Sequence, residues 1–292
     1  INHQNMPRNS TRGVSPARKP LSKSSPAIND NDNDNEEFPP VVQPLGNIIE
    51  VNDDVFFVSG YVNMAPLMSF ARNMVIVRNE DGELTLICSV RLDEDGLTEL
   101  EALGEPKYLI RLNQTHSMDD AFYVDKYNLT VYAPKNVSWK QSWMKTDRII
   151  TESTILPFSD AELFEFRGSV NCAEFAIFID RDDGVLITVD SIQHHVAPYK
   201  ASYVAQAAMW WMGFYGSCKP GPGWLSQGCD YPNNLSVLDD FQQLRDDYRF
   251  ETLLSAHGSP CFYDAHYHFN RHVRALLQKH QIDDDFEYEN ED

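Results

Sequence analysis

The chain of 292 residues carries 44 acidic and 24 basic side chains, a formal net charge of −20. Such an excess of negative charge repels phosphate backbones and anionic lipid, which makes nucleic acid and membrane surfaces poor partners. The length suffices for one large core or two small ones without a staple, and no apolar stretch approaches the roughly 20 residues that cross a bilayer.

Five cysteines, Cys88, Cys172, Cys218, Cys229 and Cys261, form no C-x-x-C pair. Odd in number and scattered, they read as reduced thiols, although Cys218 and Cys229 flank a Gly/Pro-rich loop and could pair in an oxidising compartment. Asn-x-Ser/Thr sequons are too common to imply secretion. The expectation is a soluble chain, intracellular or organellar (a plastid included) rather than secreted.

Residues 1–40 are rich in Pro, Ser, Asn and Asp, with a basic first half and an Asn-Asp repeat, and nothing there can bury a face. They read as a disordered leader or linker, and the Arg/Ser-rich start would also suit the end of a transit peptide. A folded domain is expected over 41–280 and a solvated acidic tail over 281–292.

Within the domain, apolar runs at 48–51 and 55–59 predict two strands, and 74–78 with 84–88 predicts a hairpin turned at Asn79 to Gly82. A helix is expected over 97–103, stopped by Gly104. Tyr108, Leu109, Ile110 and Leu112 read as a buried strand whose polarity changes at Asn113, with His116 and Asp120 just past its end. A further strand at 129–133 follows, then an edge strand at 161–166 and a second hairpin, 175–180 with 184–190, which delivers Asp190 at its end and His194 and His195 directly after it. Residues 201–214 predict a helix, read as a core helix ahead of a substrate platform. The segment 216–232 predicts a lid or irregular loop, 235–248 an amphipathic helix, 250–254 a strand leading to His257, and 264–278 a last helix. Alternating strands and helices are the grammar of a layered α/β or α+β sheet protein.

Three strands therefore end in metal-capable residues: His116 with Asp120, Asp190 with His194 and His195, and His257. Imidazole nitrogen and carboxylate oxygen are ligands that zinc, iron or manganese accept, and an open position beside such a cation serves ester, lactone or phosphoester hydrolysis.

The order of motifs, Thr115-His116-Ser117-Met118-Asp119-Asp120-Ala121, then Val189-Asp190 after a hairpin, then Ala256-His257-Gly258, resembles the metallo-β-lactamase superfamily. A closer likeness, carried by Asn73 to Arg78, Asp81 to Leu84, Tyr132-Ala-Pro134 and the Glu174-led hairpin ending in Asp190, is to the DUF4336-type domain of unknown function of cyanobacteria, plants and algae. The resemblance implies a four-layered αβ/βα sandwich and carries over His116, Asp120, Asp190 and His257. Met118 and Ala121 stand where that motif has histidines, and Cys172 or Glu174 would have to replace a further ligand.

Two readings follow. In one, His116, Asp190 and His257 hold one divalent metal (Zn, Fe or Mn), Asp120 or His195 completes the shell or Asp120 acts as general base, and the chain hydrolyses a small-molecule substrate. In the other, no metal is bound and the fold serves a protein partner as a binding or assembly scaffold.

Overall fold

The computed structural model describes residues 47–65, 68–116, 118–196 and 201–284. The expected leader at 1–40 and residues 285–292 of the expected tail lie outside the described residues. Strands β1 (Ile49–Asn52), β2 (Val55–Ala65), β3 (Met68–Arg78) and β4 (Glu83–Ile87) pair antiparallel in sequence order. After helix α1 (Glu94–Leu103), the sheet continues in parallel through β5 (Glu105–Ile110), helix α2 (Asp120–Tyr127), β6 (Thr130–Ala133) and β7 (Arg148–Ile149), giving seven strands in order.

A second sheet begins with the antiparallel strands β8 (Ala161–Glu165), β9 (Phe175–Ile179) and β10 (Val185–Thr188). Strand β11 (Ile192–His195) pairs with β12 (Gly216–Pro220) across helix α3 (Tyr203–Trp211) in a small ribbon. Helices α4 (Pro222–Gln227) and α5 (Ser236–Asp247) lead to β13 (Thr252–Ser255), which lies parallel to β10, and the described chain closes with α6 (Ala265–His280).

Why these elements layer follows from their alternation. On β2, Val55 and Phe57 join one core while Phe56 and Val58 join another. Likewise Ile177 and Ile187 share the first core with β2, β3 and β5, whereas Ala176 and Leu186 face α5 and α6. The two sheets thus pack face to face, with α1 and α2 covering one outer face and α4, α5 and α6 the other. This period-2 burial on both faces is what commits the chain to four layers.

Several expectations are corrected. The strands expected to stop at 59 and start at 74 extend through Ala65 and from Met68, because the long β2–β3 ladder tolerates the polar Ser59, Arg72 and Asn73 as buried, hydrogen-bonded groups. Segment 120–127 is helical, with the Tyr123 hydroxyl donating to the Val90 carbonyl at 2.6 Å and accepting from Leu92 N–H at 3.1 Å. The stretch 216–232 is not an irregular loop but β12 and α4. Helix α3 is not a core helix: Ala205 and Met209 are buried, while Tyr203, Trp210 and Trp211 are exposed. Cys218 and Cys229 are fully buried free thiols. At the start of the expected tail, Asp284 pairs with the buried Arg245 at 2.9 Å. Among the described residues no helix is long and apolar enough to cross a membrane.

Candidate metal centre

One side chain turns the polar run that follows β5. The Asn113 side-chain carbonyl accepts from the backbone N–H groups of Thr115 and His116, both at 3.0 Å, which closes an Asx-type turn and brings His116 back over the strand end. The Asn113 amide donates to Asp190 Oδ2 at 3.0 Å and to Glu174 Oε2 at 3.3 Å. A single asparagine therefore joins the ends of both sheets.

Asp190 lies just beyond β10, where its own N–H and that of Ser191 donate to Glu174 Oε1. Glu174 is wholly buried; burial first, and then the Asp190 charge, push its carboxyl up to about 8. Burial pulls Asp190 the other way from its partners, but the charges and hydrogen bonds of His116 and His257 prevail and hold its carboxyl well below the usual range.

His257 follows β13. Asn73, in the centre of β3, donates to the Ser255 and Gly258 carbonyls at 2.8 Å each and so clamps the turn that carries it. Gly258 has φ +81°, and a Cβ there would stand 2.2 Å from the His194 carbonyl oxygen, so no larger residue fits. His257 Nδ1 faces the Ala71 carbonyl at 3.0 Å. A carbonyl only accepts, so Nδ1 carries a proton, which leaves Nε2 as the nitrogen a metal could take.

The structure brings His116, Asp190 and His257 together. His116 Nε2 lies 3.0 Å from Asp190 Oδ2 and 3.3 Å from His257 Nε2, and His257 Nε2 lies 3.4 Å from Asp190 Oδ1. Bonds of about 2.0–2.2 Å in a tetrahedron set neighbouring donors about 3.3–3.6 Å apart, so the 3.3 and 3.4 Å separations match two edges and the 3.0 Å one is shorter than the third, with the two histidines facing different oxygens of one carboxylate. Two imidazole nitrogens and a carboxylate oxygen form a donor set that suits zinc, iron or manganese. Burial pushes His116 down despite Asp190; for His257 burial acts the same way, but the Asp190 and Ala71 contacts outweigh it and raise it.

The other sequence-derived residues stand apart from the trio. Asp120 is 2% exposed at the start of α2, its Oδ1 accepting from Ser89 Oγ at 2.5 Å, and burial foremost pushes it up to about 6. His195 Nε2 is directed at Gln193 Oε1, 3.1 Å away, and Gln193 in turn donates to Asp190 Oδ1 at 3.4 Å. Burial foremost pushes His195 down to about 3, so it is neutral. Ala121 packs in the core beneath α2 and supplies no ligand. Asn113, Asn73 and Gln193 are site residues that motif spacing misses; only the Asn-x-Thr pattern directly after a strand hints at the Asx turn.

Asp190 and His257 of the trio line a cavity of about 550 Å³. Asp190, His257 and Thr115 form its polar end, and Phe70, Met209, Met212, Phe214 and Trp224 its apolar wall. No Lys or Arg lines it among the described residues.

No family model matches this chain, and no curated protein does. Solved structures do: the DIM-1 metallo-β-lactamase is 11% identical, aligning over 81% of this chain and 99% of its own with a TM-score of 0.56. VMB-1 is 11% identical over 79% and 97%, with a TM-score of 0.55. The mono-zinc form of the metallo-β-lactamase FIM-1 from Pseudomonas aeruginosa is 8% identical over 82% and 98%, with a TM-score of 0.53. These likenesses establish the fold of this chain as the layered metallo-β-lactamase sandwich.

Proposed function

We propose that the chain is a metal-dependent hydrolase of a small ester or lactone, with one divalent cation, zinc ahead of iron or manganese, held by His116, Asp190 and His257. The carrying observation is the convergence of three lone-pair donors at 3.0–3.4 Å, two of which, Asp190 and His257, line a ligand-sized cavity. The Glu174-led hairpin supports placing it in the DUF4336-type branch of the superfamily. A cation bound there supplies Lewis acidity toward a carbonyl oxygen and toward water.

The chain's own residues do the rest. Asn113 and Gln193 fix the Asp190 carboxylate from two sides, and the Ala71 carbonyl fixes the His257 tautomer. Phe70, Met209, Met212, Phe214 and Trp224 would take up an apolar substituent. A phosphoester is disfavoured, because a phosphate would enter a cavity with Asp190 at its end and, among the described residues, no Lys or Arg. Asp120, buried against Ser89, is assigned to positioning the α2 start rather than to proton transfer.

The test is metal content by elemental mass spectrometry of full-length protein prepared without chelator, alongside an ester and lactone panel. Asp190→Ala should lose one metal equivalent relative to the wild type, and hydrolysis with it. Equal metal in both proteins would sink the reading in favour of a binding or assembly protein with no metal held by Asp190.

A further inference from the structure

A second cluster of donors lies apart from the cavity. His194 of β11, Cys218 of β12 and Cys261 of the connection into α6 place one ligand atom each within 4.8 Å of one another. His194 Nδ1 and Cys218 Sγ are 3.7 Å apart. Bonds of about 2.0 Å to nitrogen and about 2.3 Å to sulfur in a tetrahedron put those atoms about 3.5 Å apart. All three residues are shut away from water, at 7%, 0% and 6% exposure, whereas the His116, Asp190 and His257 side chains are 17%, 24% and 22% exposed.

Each ligand is held by its backbone. Ser259 N–H donates to the His194 carbonyl at 3.0 Å, Cys261 exchanges two backbone hydrogen bonds with Leu253, and Cys218 is held at φ 45°, a left-handed conformation uncommon for a side-chain-bearing residue. Cys261 Sγ also donates to the Tyr263 carbonyl oxygen at 3.2 Å.

We propose that His194, Cys218 and Cys261 form a second, closed zinc site that staples the β11–β12 ribbon to the β13–α6 connection. Two thiols and an imidazole take up the dication and release two protons to solvent, leaving two thiolates that cancel its charge. A centre of zero net charge is the form an apolar interior tolerates, and this neutrality selects a dication over copper(I). The donor set also separates the two centres: sulfur-rich and closed here, oxygen-bearing and open at the cavity. The inference does not rest on the hydrolase reading.

Cobalt(II) added to reduced, metal-stripped full-length protein tests it, because only sulfur ligation gives an intense near-ultraviolet thiolate-to-cobalt band. The band should appear in the wild type, persist in Asp190→Ala and in the double variant Cys172→Ser, Cys229→Ser, and vanish in Cys218→Ser and Cys261→Ser. Absence of the band from folded wild type, its loss in Asp190→Ala, or its survival in both Cys218→Ser and Cys261→Ser overturns the proposal. So does a wild type whose Cys218 and Cys261 take up no cobalt after reduction of a disulfide between them. The wild-type spectrum and the double variant decide the question even if a single cysteine variant does not fold.

Discussion

Asn113 shows how much one side chain can organise: it satisfies two backbone donors, one carboxylate of the trio and the buried Glu174 at once. Asn113→Ala should therefore lower metal affinity about 10–100-fold, the usual loss when a partner that orients ligands is removed, while the fold survives; competition with a chromogenic chelator measures it. Glu174 makes a pH prediction. Its folded-state carboxyl, raised to about 8, binds its proton more tightly than in the unfolded chain, so its stabilisation is complete below the unfolded value and is lost as pH rises through about 8. His257, also raised, acts in the same direction. His195 and His116, both lowered, act in the opposite direction but below their unfolded value. Cys261, lowered to about 5, adds stability with rising pH over the same window, so the Glu174 effect is read as a difference: between about pH 6.5 and 8, metal-free Glu174→Gln should lose less stability in urea as pH rises than metal-free wild type. His116, Asp190 and His257 were legible in sequence as polar residues at strand ends. Asn73 was not, because a buried asparagine inside a strand reads locally as a polar interruption, and only the 182-residue separation to Ser255 closed by folding gives it a partner.

At the scale of elements, the Asp-Gly hairpins and the buried strand before Asn113 followed from local pattern alone, since turn chemistry and period-2 alternation are decided within about ten residues. Helix α3 did not. Its apolar Met209-Trp-Trp-Met212 block reads as core, yet only Ala205 and Met209 are buried in it, and Trp210 and Trp211 are 75% and 83% exposed. Hydrophobicity registers that a helix can be buried; the neighbouring elements decide which side is. Met209→Ala should therefore destabilise the protein by about 2–3 kcal/mol through loss of buried volume at the cavity wall. The double change Trp210→Ser, Trp211→Ser should stay within about 1 kcal/mol. Urea unfolding of the three proteins distinguishes the two sides. Helix α2 escaped notice for the opposite reason: its short, charged sequence has little apolar face, and Ala121, Tyr123 and Val124 carry its packing.

For the molecule as a whole, layering was legible because two kinds of alternation, strand faces and strand–helix order, agree along most of the domain, and this is also why the fold is matched by structures only 8–11% identical. Residue chemistry at the site is freer to vary than the pattern that builds the sheets. The site itself is assembled from distant chain: His116 and Asp190 are 74 residues apart, and His116 and His257 are 141 apart. Contacts this non-local carry a loop-closure cost that is recovered only when both sheets have docked. The coordination geometry should then be absent from the folding transition state. Added zinc would leave the refolding rate of the wild type nearly unchanged and slow its unfolding, a split that stopped-flow chevrons with and without metal would resolve and that equal changes in both limbs would refute. In living cells such a chain would owe its lifetime to metal supply long after synthesis has ended, and scarcity would be felt as faster turnover of finished protein rather than as failure to make it.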